Sequence, residues 1–501
     1  DAEDAETIRV KAGEMLRRAG ERAASLGAPD EGQRYYEQAA DLARDPLVEA
    51  ELLEQAGRLA IQANRSTESR ERLERAIQLY ADAGQERASA LASAALADAD
   101  VDQGRLAEAA TRLGAAVDQL EQGEPSSELA AALAQLGRAL ALSGHVDEAV
   151  APLERALTLA ERLQLPDVFV EALTTKGVVL MLQSRLGEAR IQLEAAIARA
   201  HDEQLYESAL RAENNLLVVL ESSDRYAEEV DLAERSIALA RRRGDRRWQA
   251  NLQTGMVAPL FPLGRWDEAL LIAEEEDSAA VSELSRGQLL SAALIDCERG
   301  DLKAAEARLA GAESLRASDN PQTRAGHALV EARGLRARGR QVEALAAAER
   351  GLATLSELAI TDTGMKMVLV EAIEAALAIP DLDKAEELLA IPQSLDPGEL
   401  TPFLQASTAR LLSRLDAARG SHDGIEDRFR AATALFREFG IAFYQAVTQL
   451  EHGEWLIGQG RSDEADPLLA EAAEAFELLQ ATPWLERVEA LSAARGEEIP
   501  A

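Results

Sequence analysis

The chain has 501 residues, of which 47% are hydrophobic and only 4% are aromatic, and its formal net charge is −36. A charge this negative repels phosphate backbones and anionic lipids, which argues against non-specific binding to nucleic acids or membrane surfaces. Alanine, leucine, glutamate and arginine, all strong helix formers, are abundant, whereas the β-branched and aromatic alternation of strands is scarce. The predicted fold class is therefore all-α.

The cysteine content and the start of the chain bear on its cellular context. Cys297 is the single cysteine, so a disulfide framework is excluded and a reducing, cytoplasmic compartment is predicted. No apolar run approaches the roughly 18 residues of a membrane span, and no signal peptide opens the sequence. Because the first residue is Asp1 rather than methionine, we expect the sequence to be cut from a longer protein.

One short motif returns about every forty residues along the chain. Its strongest copies, GRLAEA, GHVDEA, SRLGEA, DRYAEE and GRWDEA, end at anchor residues Ala109, Ala149, Ala189, Glu229 and Ala269. Weaker copies end at Ser69, Ala305, Ala344, Ala385, Ile425 and Ala465, and a degenerate copy is expected near Gly32. We therefore predict about twelve units with a period near 40 residues.

The spacing within a unit predicts a pair of packed helices. A glycine lies twelve residues before the anchor in several copies, as at Gly137 and Gly177, and a large apolar residue follows four residues after it, as at Leu153. Offsets of three, four and seven residues share one helix face, and glycine between the two periodic segments ends the first helix. Small residues let the two helices approach closely, while leucines fill the space between neighbouring units.

This pattern resembles the tetratricopeptide repeat (TPR), which has a helix-A glycine, a turn glycine and a helix-B alanine at the same spacing. The resemblance covers roughly residues 30–480, although the period is longer than the usual 34 of the family. It implies a right-handed superhelical solenoid of about 12 helix pairs, whose units are stable only when stacked. We expect N-terminal capping helices or a degenerate repeat at 1–46, the array at 47–481, and a capping helix and tail at 482–501.

A closer resemblance rests on the segments EALTTKGVVL, FPLGRWDEAL and QATPWLERVEAL. They are similar to the C-terminal repeat region of bacterial class III adenylate/guanylate cyclases, in which a cyclase domain and a signalling ATPase domain precede a TPR array. The resemblance implies a regulatory arm that binds a protein or peptide, or the ATPase and cyclase domains of its own parent. Two alternatives are the repeat arm of an ATPase-type transcription regulator and a stand-alone adaptor; a homodimer through an imperfectly capped end is also open.

Motifs that carry catalytic chemistry are missing from the sequence. There is no Walker-type GxxxxGK[ST] and no strand-associated GxGxxG, and the five histidines have no metal-ligand spacing. Cys297 has no neighbouring histidine that would act as its base. We therefore predict a chain without enzymatic activity, catalytic residues, metal or cofactor, whose partner is a protein or peptide and not a nucleic acid or a membrane.

The TPR resemblance also implies a binding groove, because the concave wall of such arrays is built from helix A. The inward-facing positions of the family correspond here to Thr174, Met181, Arg211, Asn214, Asn215, Asn251 and Phe261. Paired amides such as Asn214 and Asn215 can bond a peptide backbone, and Arg211 suits a carboxylate. Local capping or packing remains an alternative role for the two asparagines.

Two clusters of arginine stand out in this acidic chain. The first is RRRGDRRW, with Arg241, Arg242, Arg243, Arg246 and Arg247. Either the arginines stabilise the end of a helix that stops at Gly244, or they form a docking patch for an acidic partner segment or for acidic units of this protein. A looser set, Arg333, Arg336, Arg338 and Arg340, leaves the same alternatives open.

Lys176 is a charged residue in the apolar segment LTTKGVVLML, one residue before the helix-A glycine. The ammonium either extends past neighbouring leucines to solvent or pairs with a carboxylate inside the stack. A site for a phosphate or carboxylate ligand is a third interpretation. The first two make the lysine structural.

Overall fold

The structure of the chain, a computed structural model, describes residues 2–63, 65–275, 283–380, 382–396 and 398–497. Every regular element in these ranges is helical, which confirms the all-α prediction. The first twelve helices are α1 Ala2–Ser25, α2 Pro29–Leu42, α3 Pro46–Gln62, α4 Ser66–Asp82, α5 Glu86–Asp102, α6 Leu106–Leu120, α7 Ser127–Leu142, α8 Val146–Leu163, α9 Pro166–Leu182, α10 Leu186–Asp202, α11 Tyr206–Ser222 and α12 Tyr226–Arg243.

The remaining helices follow the same alternation of helix A and helix B. They are α13 Arg246–Gly255, α14 Val257–Leu260, α15 Trp266–Glu275, α16 Glu283–Arg299, α17 Leu302–Gly311, α18 Pro321–Ala337, α19 Gln341–Leu352, α20 Thr363–Leu377, α21 Asp383–Gln393, α22 Pro402–Ala418, α23 Ile425–Glu438, α24 Ala442–Gly458, α25 Ser462–Leu479 and α26 Thr482–Glu497. Each predicted anchor lies in a B helix, so the described part of the chain contains the predicted helix pairs.

The turn between helix A and helix B needs a residue with positive φ, and glycine provides it in most units. Gly104, Gly144 and Gly264 have φ of 73°, 85° and 73°. Without a Cβ, glycine adopts this left-handed conformation without strain and lets the turn close the last carbonyls of helix A. Ser184 and Asp224 occupy the same turn position with φ of 58° and 60°, where a side chain adds strain.

The helix-A glycine contacts the helix-B leucine of its own unit in several copies, whereas the sequence predicted that these leucines lie between neighbouring units. A Cβ added to Gly137 would lie 2.5 Å from Cγ of Leu153, and one added to Gly177 would lie 2.6 Å from Cγ of Leu193. Both leucines are fully buried, as are the anchors of their units, Ala149 and Ala189. Close approach of helix A to helix B therefore depends on glycine at this position.

The helices group into two compact units. Unit 1 comprises residues 1–183 and 191–212, and unit 2 comprises residues 184–190 and 213–501. The core of unit 1 is a continuous layer of alanine and leucine from α5 to α9, to which Leu113, Leu153 and Val179 contribute. In this unit the core is formed by stacking of successive helices, as expected for a solenoid.

Unit 2 contains contacts between helices that are far apart in sequence. The rings of Phe261 and Trp266 stack in parallel with centroids 5.7 Å apart, and Phe443 of α24 lies 5.4 Å from the Trp266 ring. Trp484 of α26 packs edge-on against Phe443 at 5.6 Å. An aromatic cluster thus joins α14 and α15 to α24 and α26 within the unit.

Candidate binding site

The residues predicted for the groove belong to both units, and each unit is described by itself. In unit 1, Thr174 is 1% exposed and its hydroxyl donates to the Val170 carbonyl at 2.8 Å. Its side chain therefore has no surface for a partner, and its prediction as a groove residue is wrong. Met181 lies half-buried in the last turn of α9, and Arg211 is half-buried on α11.

Arg211 lines a cleft between the A helices of unit 1. The cleft has a volume of about 240 Å³. Its polar wall consists of Asp98 on α5, Gln135 and Arg138 on α7, Glu171 and Thr175 on α9, and Arg211 on α11. We call this the unit 1 cleft. Successive A helices place these side chains together because the forty-residue period returns the same helix face in each repeat.

Hydrogen bonds hold the polar wall of the unit 1 cleft in place. The Gln135 amide donates to a carboxylate oxygen of Asp98 at 2.9 Å. The Arg211 guanidinium donates to the hydroxyl of Thr175 at 3.2 Å, and that hydroxyl in turn donates to the carbonyl of Glu171 at 3.0 Å. The orientation of Arg211 is thus set by a neighbouring helix before any partner binds.

The charge of Arg211 is held in an unfavourable environment. Burial, and secondly the positive charge of Arg138, lower the pKa of the Arg211 guanidinium to about 10. The carboxylates of Glu171 and Asp98 oppose this shift without cancelling it. The guanidinium remains protonated at neutral pH, so an additional carboxylate near Arg138 and Arg211 would be stabilised.

Two of the three predicted asparagines of unit 2 bond to each other. The amide of Asn251 donates to the amide oxygen of Asn214 at 3.2 Å, and both side chains are half-buried. Asn215 is also half-buried on α11. These side chains retain accessible surface, so they stay candidates for contact with a partner.

Phe261 does not face a groove. It is 2% exposed, its carbonyl accepts a 2.9 Å hydrogen bond from the Trp266 indole, and its ring belongs to the aromatic cluster of unit 2. The prediction of Phe261 as a groove residue is wrong, because an inward-facing position becomes part of the core where the inner faces of helices meet.

The arginine run 241–247 lies on the surface of unit 2. All five of its arginines are exposed. Helix α12 ends at Arg243, and Gly244 follows with φ of 74°, as the helix-end interpretation predicts. Asp245 caps the next helix by accepting a hydrogen bond from the Trp248 amide at 3.0 Å.

All four arginines of the second set form ion pairs. Arg333 is buried and forms ion pairs with Glu298 and Glu371, and Arg336 pairs with Glu371 at 2.5 Å. Arg338 bonds Glu306 at 3.1 Å, and Arg340, which precedes α19, pairs with Glu343 in the first turn of that helix. Arg333 is buried and Arg336 half-buried in these pairs, whereas Arg338 and Arg340 stay exposed on the surface.

Arg333 and Arg336 belong to a larger feature that sequence analysis missed. Acidic and basic residues alternate along successive A helices of unit 2, each bonded to the next: Glu298 on α16, Arg333 and Arg336 on α18, Glu371 and Glu374 on α20, Arg410 and Arg414 on α22, Glu451 and Glu454 on α24, and Arg487 on α26. We call this the charge ladder. The sequence signal for the charge ladder is that the charge at equivalent helix-A positions changes sign from one repeat to the next.

A second missed cluster surrounds Lys366 of α20, which is fully buried. Its ammonium pairs with the buried carboxylate of Asp224, which also accepts hydrogen bonds from the Phe403 amide at 2.7 Å and the Tyr226 hydroxyl at 3.1 Å. The copy DRYAEE signals it, since aspartate replaces the turn glycine and Glu229 replaces the anchor alanine.

Lys176 has a structural role. Its ammonium lies 2.5 Å from a carboxylate oxygen of Glu154 on the neighbouring helix α8, and both side chains reach solvent. It therefore combines the two structural interpretations: the side chain extends to the surface and pairs with a carboxylate there.

Two observations concern metal binding and the cysteine. They contain no group of histidine, cysteine, aspartate and glutamate side chains able to hold a metal ion. Burial, and secondly the charge of Glu298, raise the pKa of the Cys297 thiol to about 12, so the thiolate nucleophile is not populated at neutral pH. Among the described helices, none is both long and apolar enough to cross a membrane.

Comparisons with known proteins identify the fold. No family model and no curated protein matches the chain. Among solved structures, the chain is similar to the APC/C hetero-tetramer Cut9–Hcn1. The match spans 97% of this chain and 95% of the matched chain, with 12% identity and a TM-score of 0.55. The chain folds as a TPR-like helical-repeat solenoid.

Two further solved structures are similar over shorter parts. A Rap protein complexed with Competence and Sporulation Factor covers 77% of this chain and 99% of its own, with 14% identity and a TM-score of 0.43. The TPR-like repeats of a Podosopora anserina kinesin light chain cover 39% of this chain and 97% of their own, with 18% identity and a TM-score of 0.34.

Proposed function

We propose that this chain is a non-catalytic protein-interaction array and that the unit 1 cleft receives an acidic group of a protein or peptide partner. The observation that carries the proposal is the half-buried Arg211, held by Thr175 and facing the charge of Arg138 within one cleft. A carboxylate placed between the two guanidinium groups would offset their repulsion and accept bidentate hydrogen bonds.

The size of the cleft indicates what kind of group it takes. Its volume of about 240 Å³ is below the range of roughly 300–1,000 Å³ of small-molecule pockets. It suits a glutamate or aspartate side chain, or a chain terminus, of a longer segment that also contacts the surrounding A helices. Met181 in unit 1, and Asn214, Asn215 and Asn251 in unit 2, are further proposed contacts; the buried Thr174 and Phe261 are not.

We further propose that the array is the C-terminal sensor or scaffold arm of a cytoplasmic bacterial signalling protein with cyclase and ATPase domains. The support is the resemblance of EALTTKGVVL and FPLGRWDEAL to such arms. In that role the array would bind a partner, or the ATPase domain of its own parent, and bias that domain between two states. Such biasing requires different affinities for the two states.

The test compares this chain with an Arg138→Gln/Arg211→Gln variant, which keeps much of the side-chain volume and removes both charges. The control is Arg22→Gln/Arg162→Gln, which removes two exposed arginines that form no ion pair with described residues. Proteins captured from the native cytosol by the wild-type chain are identified, and the affinity of each purified partner is measured by calorimetry.

We expect the cleft variant to bind its partner roughly ten- to a hundredfold more weakly, since a hydrogen bond to a charged group contributes about 1.5–3 kcal/mol. The control should bind like the wild type. A partner bound equally by all three chains would place the interaction elsewhere and refute the cleft. The signalling-arm role has a separate test, in which the array is fused to an ATPase domain. If this domain turns over ATP at the same rate with and without the array, the signalling-arm role is refuted and the cleft proposal is unaffected.

A further inference from the structure

The five arginines of the run 241–247, here called the arginine patch, differ from most other arginines of the chain. Elsewhere arginines commonly pair with a carboxylate, as Arg225 does with Glu228 and Arg265 with Glu268. In the part of the chain that the structure describes, Arg241, Arg242, Arg246 and Arg247 form no ion pair. Four of the five arginines of the patch thus lie on the surface of an acidic protein without an ion pair among the described residues.

The helix dipole explains only part of the arginine patch. Arg241, Arg242 and Arg243 lie in the last turn of α12, where the partial negative charge of the C-terminus stabilises cations. Arg246 and Arg247, however, are the first two residues of α13, at the positive end of that helix. Local helix stability therefore favours three of the five arginines and opposes the other two.

Neighbouring acidic groups do not remove this conflict. Asp245 lies between the two groups of arginines, but its carboxylate accepts the Trp248 amide as the cap of α13. On the two sides of the turn at Gly244, Arg241, Arg242, Arg246 and Arg247 stay exposed and form no ion pair with described residues. Residues that oppose local stability and lie fully on the surface point to a role in binding.

We propose that the arginine patch is a docking surface for an acidic segment of a partner protein, distinct from the unit 1 cleft. Charge complementarity is the argument: guanidinium groups bind carboxylates bidentately, and a run of glutamate or aspartate would neutralise both groups of arginines. Nucleic acids and anionic membranes are disfavoured as occupants, because the net charge of −36 repels their extended negative surfaces.

The test uses a fluorescein-labelled oligoglutamate peptide as the probe and an oligoglutamine peptide of equal length as the neutral control. Fluorescence anisotropy measures binding to the wild-type chain, to Arg246→Gln/Arg247→Gln and to the exposed control pair Arg22→Gln/Arg162→Gln. The first variant removes the two charges that the helix dipole opposes, so loss of binding through unfolding is not expected. Circular dichroism of each variant checks the fold.

We expect oligoglutamate to bind the wild type at low ionic strength and to bind the patch variant roughly fivefold more weakly, with the control unchanged. Binding should weaken as the ionic strength rises to about 0.15 M. Equal loss in the control variant, or no binding to the wild type, would overturn the proposal. Tighter binding of single-stranded DNA or phosphatidylserine vesicles, or dimerisation of the chain through the patch, would overturn its choice of occupant.

Discussion

At the scale of single residues, the cluster around Lys366 shows how a strained backbone is stabilised. Asp224 adopts φ of 60° without being glycine, yet its carboxylate bonds Lys366, the Phe403 amide and the Tyr226 hydroxyl. Glu221 lies beside this cluster, where the Thr363 hydroxyl donates to its carbonyl at 3.4 Å. Asp224, Glu221 and Glu229 thus share the single positive charge of Lys366.

The first prediction concerns Glu221 and pH. Burial, and secondly the charge of Asp362, raise the pKa of Glu221 to about 7, although Lys366 and Thr363 oppose the shift and Asp224 adds to it. The folded chain therefore holds this proton at a pH where the unfolded chain has lost it. The free energy of unfolding therefore falls progressively as the pH rises from about 4.5 to about 7, because the unfolded chain releases the proton that the folded chain keeps.

Glu221→Gln should then increase the free energy of unfolding of unit 2 by about 1–2 kcal/mol at pH 8, a value reduced by partial exposure of the side chain. The gain should vanish near pH 4, where Glu221 is neutral in both the folded and the unfolded chain. Urea denaturation at the two pH values measures the difference. A gain that is the same at both would show that Glu221 does not titrate in this range.

At the scale of secondary-structure elements, the turn at Gly244 joins two helix ends of opposite polarity. Arginines stand on both sides of it, so the same substitution should have opposite effects on stability. Arg241→Gln/Arg242→Gln removes favourable charges from the end of α12, whereas Arg246→Gln/Arg247→Gln removes unfavourable ones from the start of α13.

We expect the first pair to lower and the second to raise the free energy of unfolding, each by about 0.5–1 kcal/mol at low salt. Thermal unfolding by calorimetry, repeated at high salt, measures the sign and its screening. An increase for both pairs would mean that repulsion among the guanidinium groups, rather than the dipole, controls the stability of this turn.

Helix pairs were predictable from the sequence because they depend on local spacing. Gly137 and Leu153, sixteen residues apart by number, contact each other as the period requires. The groove was less predictable, because whether a helix-A side chain is accessible depends on what lies opposite it. Phe261 meets Phe443 across the inner face of unit 2, a contact between distant repeats that no local pattern encodes.

At the scale of the whole chain, the two units differ in how far along the sequence their contacts reach. Lys366 pairs with Asp224 across 142 positions, and the Phe403 amide reaches the same carboxylate across 179. The charge ladder adds register-specific links between successive A helices of unit 2. Burial alone would raise the pKa of Glu374, but Arg410 and Arg414 hold it well below its ordinary value, so this link stays charged in the folded chain.

The third stability prediction concerns Lys366→Met. It leaves the Asp224 carboxylate buried without its cation, and loss of one partner of a buried pair costs about 3–5 kcal/mol. The matched control is Lys384→Met. The Lys384 ammonium pairs with Glu349 and Glu387 at the surface, so its loss should change the free energy of unfolding by less than about 1 kcal/mol.

Hydrogen exchange distinguishes a local from a cooperative effect of Lys366→Met. If the contacts of Asp224 stabilise distant repeats cooperatively, amide hydrogen exchange should increase in α11, α12 and α22 as well as in α20, which carries the substitution. An increase limited to α20 would show that the buried pair stabilises only its own helix.

The reach of the Asp224 contacts has a consequence for the speed of folding. An array of nearest-neighbour repeats can nucleate anywhere and grow by adding one helix pair at a time. Unit 2 must instead bring residues 224, 366 and 403 together, and the entropy of closing those loops is lost before the contacts form. High contact order slows folding, so unit 2 should acquire its native hydrogen bonds later than the stacked repeats of unit 1, and it is the part of the nascent chain that stays exposed longest.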